Sequence, residues 1–94
     1  MIIKSKHDRK KKMSELTSAQ IRAARALLDW TQPALAAASK LSVPTVRRME
    51  SERGPVASTS ANVEAVVRAL QEAGIIFLAA GETRDGGAGV RLKK

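Results

Sequence analysis

The sequence predicts a mainly α-helical domain of four to five short helices that ends in a β-hairpin. A hydrophobic residue followed by Thr or Ser recurs as a helix-start signal three times between residues 16 and 42. Apolar residues at spacings of three and four follow these signals, as expected for amphipathic helices. A short, partly β-branched run comes after Gly74 and favours strands. The length of 94 residues and the 44% hydrophobic content fit one small globular domain.

Each helix-start signal combines a hydroxyl N-cap with a preceding apolar residue that can pack against the first turn. The three pairs are Leu16-Thr17, Trp30-Thr31 and Leu41-Ser42. Pro33 and Pro44 fall in the first turns of the second and third helices, where a missing N–H costs nothing. The predicted helices cover residues 18–28, 32–39, 43–51 and 60–73, and Gly74 is the expected stop of the last.

The helical spacing also predicts which side chains point inward. They are Ile21, Ala24, Leu27 and Leu28 in the first helix, Leu35, Ala36 and Ala38 in the second, Val46 and Met49 in the third, and Val63, Val66, Val67 and Leu70 in the fourth.

The apolar run at residues 75–79 and the segment at 90–92 read as two strands joined by a glycine-rich loop, in which we see no phosphate-binding motif. The first strand is apolar on both faces, so both faces need cover. A second copy of the chain is one source of cover, which predicts a homodimer. The predicted interface residues are Ile75, Ile76, Phe77, Leu78, Val90 and Leu92. The competing arrangement folds the hairpin onto its own helices, with Ile76 and Leu78 covered internally.

The net charge of +8 points to a polyanionic partner, and its distribution divides the chain. Residues 1–13 hold six basic side chains against Asp8, whereas residues 14–74 hold seven against six acidic ones. We therefore expect a flexible basic arm at 1–13, a nearly neutral body at 14–74 and a hairpin at 75–94. The arm either contacts phosphate, with Lys10, Lys11 and Lys12 as candidates, or is a solvated tail.

The composition excludes several classes of protein. The chain has no cysteine and a single histidine, His7, which leaves no ligand set for zinc or an iron–sulfur cluster and no thiol nucleophile. No cluster of residues suits catalysis, so we expect no enzyme, no cofactor and no metal. No apolar run approaches the ~20 residues that span a bilayer, so we expect a cytoplasmic protein without membrane contact.

The predicted second and third helices are joined by about three residues, which suits a helix-turn-helix motif. Inward-facing Val46 and Met49 leave Pro44, Thr45 and Arg48 on the outer face of the third helix, with Arg47 at its flank. Arginine can donate two hydrogen bonds to guanine, and threonine can offer a hydroxyl or a methyl group.

The stretch TQPALAAASKLSVPTVRRME resembles the Cro/phage-repressor-type helix-turn-helix proteins (the XRE family), and the similarity extends over about residues 14–74. The ending GVRLKK is similar to that of short bacterial members. The resemblance implies a compact repressor-like bundle that binds operator DNA as a dimer. It implies phosphate contact by Gln32, base reading at Val43, Pro44, Thr45 and Arg48, backbone contact by Arg47, and a structural ion pair between Arg25 and Glu50. Thr31 and Lys40 are further candidates for phosphate contact.

Two departures from the family pattern limit these implications. Lys40 stands where a glycine is usual, so a left-handed backbone there would be strained. Val43 and Pro44 replace the polar residues that often open the recognition helix. Recognition of the DNA sequence would then depend more on Thr45, Arg48 and the shape of the DNA.

The sequence thus predicts a dimeric, sequence-specific regulator that binds double-stranded DNA at a palindromic operator, with repression favoured over activation and no small-molecule effector evident. The alternative is an antitoxin-type protein that holds a partner toxin and binds DNA secondarily. A stoichiometric partner on purification would distinguish that alternative.

Overall fold

The computed structural model describes residues 16–55, 58–82 and 85–93, which form four helices and one two-stranded antiparallel sheet. The elements are α1 (Ser18–Leu28), α2 (Gln32–Ser39), α3 (Val43–Met49), α4 (Ser60–Glu72), β1 (Ile75–Leu78) and β2 (Gly89–Leu92). The predicted mainly α fold with a hairpin is confirmed. Helix α3 ends two residues, and α4 one residue, before the predicted ends. The predicted basic arm, with Lys10, Lys11 and Lys12, lies outside the described residues.

A hydroxyl side chain caps the start of every helix that the structure describes. The oxygens of Thr17, Thr31, Ser42 and Thr59 accept the backbone N–H three residues further on, at 3.1–3.2 Å. At Thr17 a capping box is formed, because the Gln20 side chain also accepts the Thr17 N–H, at 2.9 Å. The local signals therefore fix where the helices begin.

Two tight turns connect α1, α2 and α3 through residues with left-handed backbone. Asp29 has φ 58° and Lys40 has φ 62°. Aspartate tolerates this conformation better than lysine, whose Cβ crowds the following carbonyl. The expected strain at Lys40 is thus present in the turn of residues 40–42 between α2 and α3.

The core lies between the helices and the inner face of the hairpin. The largest fully buried side chains are Ile21, Leu35, Met49, Leu70, Val46 and Val66. Two inward predictions were wrong. Leu27 is 43% exposed, because the buried stripe of α1 runs through Ile21 and Ala24 and leaves Leu27 at its margin. Ala38 is exposed.

Ser39 is buried in place of Ala38. Its hydroxyl donates to the carbonyl oxygen of Leu35 at 2.7 Å, so the polar group is satisfied within its own helix. A prediction of the buried helix face that counts only apolar residues therefore misses Ser39.

The hairpin pairs Ile75 with Leu92 and Phe77 with Val90, and these four side chains pack on the core. Ile75 is only 3% exposed, and Phe77, Val90 and Leu92 pack against the chain's own core, so one copy covers these four side chains itself. The dimer interface stays a prediction. The hairpin does fold onto its own helices, as in the competing arrangement. That arrangement was wrong about Ile76, which is 40% exposed. Strand alternation places Leu78 on the outer face with Ile76.

Among the helices described, none has both the length and the apolar character needed to cross a bilayer.

Candidate nucleic-acid interface

Helices α2 and α3 form a pair whose contact is apolar and closely packed. Leu35 and Ala36 of α2 and Val46 and Met49 of α3 are all buried. The small side chain of Ala36 lets the two helices approach each other. Because Val46 and Met49 occupy the inner side of α3, the opposite side of this short helix is directed to solvent.

The outer face of α3 consists of Pro44, Thr45, Arg47 and Arg48. Pro44 and both arginines are exposed, whereas Thr45 and the neighbouring Val43 are partly buried. The hydroxyls of Thr45 and Ser42 lie 2.8 Å apart and share a hydrogen bond. Within the described part of the chain, neither arginine side chain has an ion pair or a hydrogen bond. The two guanidinium groups can therefore donate hydrogen bonds to an external acceptor.

The C-terminal end of α3 is held by a buried carboxylate. Glu50 is 4% exposed and follows the last residue of the helix. Arg25 of α1 donates to both its oxygens, from Nε to Oε2 at 2.7 Å and from Nη2 to Oε1 at 2.9 Å. Hydrogen bonding to this carboxylate raises the pKa of Arg25 above its ordinary value. The structure therefore brings together the two residues expected to form an ion pair.

Gln32, the first residue of α2, joins the same network. Its Nε2 donates to Glu50 Oε1 at 3.0 Å, and the third arm of Arg25, Nη1, donates to the carbonyl oxygen of Trp30 at 2.9 Å. The resemblance placed Gln32 against phosphate, whereas the structure places it against Glu50. One of the two amide hydrogens remains for an outside acceptor. Sequence reasoning missed the contact, because nothing local pairs residues 32 and 50.

Arg22 of α1 also contacts the C-terminal end of α3, and sequence reasoning did not predict this contact. Its Nη1 donates to the backbone carbonyl oxygen of Glu50 at 2.6 Å. The available signal was its position three residues before Arg25, which puts both arginines on one side of α1.

The other two candidates for phosphate contact lie at the ends of α2. Thr31 is exposed, and its hydroxyl is occupied in capping the helix at Ala34 N, 3.1 Å away. Lys40 is exposed in the turn that leads to α3. Both residues flank the helix pair in sequence, and only Lys40 brings a charge.

The described residues include no cluster of His, Cys, Asp and Glu that could hold a metal ion. Comparison of the chain with protein-family models, with curated proteins and with solved structures gives no match. The geometry of the helix pair is therefore the basis on which a function can be inferred.

Proposed function

We propose that the chain is a sequence-specific regulator of transcription that binds double-stranded DNA, with α2 and α3 acting as a helix-turn-helix and α3 entering the major groove. One observation carries the proposal. The outer face of α3 presents two exposed arginines without partners in the described chain, on a helix whose inner face is buried. Two cationic side chains held on one face of a short helix can contact bases and phosphates in the major groove of DNA.

The outer face divides into different roles. Arg48 is the candidate for a two-bond contact with guanine, and Thr45 can offer its methyl group to thymine. Val43 and Pro44 supply apolar contact and leave part of the selectivity to DNA shape. Arg47 at the flank is assigned to a phosphate. The free amide hydrogen of Gln32 and the charge of Lys40 are assigned to phosphates as well.

A homodimer is the second part of the proposal. Residues 14–74 are nearly neutral in charge, so one copy gains little from bulk charge, and two half-sites would reinforce each other. The outer face of the hairpin, with Ile76 and Leu78, is the proposed contact. Two copies of α3 held about 34–36 Å apart would meet successive major-groove faces of a palindromic operator. Repression by occupying that operator is the mode we favour.

The dimer contact is tested by Ile76→Asp, with Leu27→Asp as the matched control, since these are the two large hydrophobic side chains exposed in the described structure. Sedimentation should show a dimer for the wild type and for Leu27→Asp, and a monomer for Ile76→Asp. A monomeric wild type at tens-of-micromolar concentration, with and without DNA, would remove the homodimer from the proposal.

DNA selectivity is tested by selection from a pool of randomised duplexes with the full chain. The proposal expects enrichment of a palindrome whose half-sites lie one helical turn apart. If the protein binds the pool but the pool stays random after repeated rounds, the chain binds DNA without sequence specificity. Co-purification with a stoichiometric protein partner and no selected sequence would favour the antitoxin alternative.

A further inference from the structure

We propose that Arg22 is a positioning residue for α3 in the DNA complex, a role that rests on the proposed function. Arg22 lies on α1, and among the described residues its side chain has no hydrogen bond to the outer face of α3. Its side chain reaches the main chain just beyond the C-terminal end of that helix, where Nη1 meets the Glu50 carbonyl oxygen at 2.6 Å. By fixing that carbonyl, Arg22 fixes the direction in which the outer face points.

The contact is separate from the ion pair of Arg25. Arg25 holds the side chain of Glu50, which could swing about its own bonds without moving the backbone. Arg22 holds the backbone itself. Together the two arginines constrain both the carboxylate and the peptide plane of one residue, so the end of α3 has little rotational freedom.

Helix α3 depends on such a contact because it is short. Its seven residues make about two turns, too few for a helix to be stable on its own. The carbonyl oxygens of Val46, Arg47 and Arg48 accept from the backbone N–H groups of Glu50 and Ser51, and the Glu50 carbonyl oxygen just beyond them accepts from Arg22. A cation at this end also interacts favourably with the negative end of the helix dipole. Glu50 lies only two residues beyond Arg48. We therefore expect a displacement of the backbone at Glu50 to be passed on to the base of the Arg48 side chain.

A direct contact between Arg22 and a DNA phosphate is the main competing role, since the side chain is exposed. The two roles differ in their salt dependence. A phosphate contact contributes about −0.9 to the slope of log K against log salt concentration, whereas a positioning contact contributes nothing. A positioning residue also affects the preferred duplex far more than a random one, because only base reading depends on the aim of the helix.

The test compares Arg22→Gln with Arg68→Gln, which removes the charge of another exposed arginine. Arg68 lies on α4 and makes no hydrogen bond or ion pair with the described residues. Affinities are measured for the duplex selected by the wild type and for a random duplex, each at several salt concentrations. Relative to the control, we expect Arg22→Gln to lose about tenfold on the selected duplex, within the range for a hydrogen bond from a charged group. The random duplex and the salt slope should match the control.

Amide hydrogen exchange without DNA supplies a second readout. Arg22→Gln should speed the exchange of α3 amides and leave those of α4 unchanged. Equal losses for the two variants on the selected duplex would overturn the positioning role, and so would a slope reduced by about 0.9 with parallel loss on the random duplex. A wild type that prefers no duplex while α3 exchange still responds to Arg22→Gln would overturn the proposed function and leave Arg22 only a structural contact.

Discussion

The C-terminal end of α3 and the β-hairpin are both attached to α1, and the attachments are of opposite kinds. At the end of α3, Arg22 and Arg25 direct charged hydrogen bonds to the backbone and side chain of Glu50. The hairpin is attached mainly by its apolar inner face, through residues such as Phe77 and Val90. Its main polar link to α1 is neutral: Gln20 Nε2 donates to the carbonyl oxygens of Leu78 and Gly89 at 3.1 and 2.9 Å.

The two kinds of contact constrain the two regions to different degrees. Apolar burial stabilises in proportion to area and has little directional preference, so it secures the hairpin without setting a fine angle. Charged hydrogen bonds are directional, and they hold α3 in one orientation. Under the proposed function, the region that aims side chains at DNA is the one with the directional contacts.

The largest effect is expected at the Arg25–Glu50 pair. Arg25→Met leaves the Glu50 carboxylate buried without its charged partner and should lower the free energy of unfolding by roughly 3–5 kcal/mol. Glu50→Gln should cost less, because the Arg25 side chain is 20% exposed and can recruit water, whereas that of Glu50 is only 2% exposed. Chemical denaturation measures both. The reverse order of the two losses would contradict this account of the pair.

Gln20→Glu tests the neutral link to the hairpin. A carboxylate at this position would face two carbonyl oxygens, and we expect a loss of about 3 kcal/mol. Hydrogen exchange should show the hairpin amides opening before those of α3. Gln71→Glu makes the same change at an exposed site on α4 and should stay within about 0.5 kcal/mol of the wild type. If both variants lost the same stability, Gln20 would not be the link.

Arg48→Ala and Arg47→Ala test the division of the outer face. Arg48→Ala should weaken binding to the selected duplex by about 1–3 kcal/mol and relax the preference at one base pair. Arg47→Ala should weaken binding to all duplexes alike and reduce the salt slope by about one. Titration against selected and random duplexes distinguishes the two patterns. Identical behaviour of the variants would refute the assignment.

The smallest effect concerns the turn between α2 and α3. Lys40→Gly should raise the free energy of unfolding by about 0.5–1 kcal/mol, because glycine adopts the left-handed backbone without strain. Asp29→Gly changes the other left-handed turn and should gain less, since aspartate is better tolerated there. Thermal unfolding of the two variants makes the comparison. A destabilised Lys40→Gly would mean that the lysine side chain makes a favourable contact.

Sequence reasoning succeeded where the determinants are local. The caps at Thr17, Thr31 and Ser42 need only a hydroxyl and the next three residues, so the starts of α1, α2 and α3 were predictable. Which face of the hairpin packs inward was not predictable, because β1 is apolar at every position. The alternation of side chains therefore does not distinguish an inner from an outer face. Only packing against the helices decides that Phe77 points inward and Ile76 outward.

The contacts at the end of α3 were predictable only in part. The resemblance supplied the pair of Arg25 and Glu50, which lie 25 residues apart. It did not supply the bonds from Arg22 or Gln32 to Glu50, across 28 and 18 residues. Arginine and glutamine have many possible acceptors, and nothing in a single sequence selects among them. Such partners are fixed by how the helices pack.

Cleavage of DNA by a single reagent attached to the protein tests whether the outer face of α3 lies in the major groove of the duplex. The chain has no cysteine, so Thr45→Cys gives one attachment point on α3 and Gln71→Cys gives a control near the end of α4. An iron chelate that produces hydroxyl radicals is coupled to each. We expect Thr45→Cys to cut the selected duplex at two symmetric positions within the half-sites, and Gln71→Cys to leave those positions intact. Equal cleavage from both sites, or no localised cleavage by Thr45→Cys on a duplex that it still binds, would contradict the account.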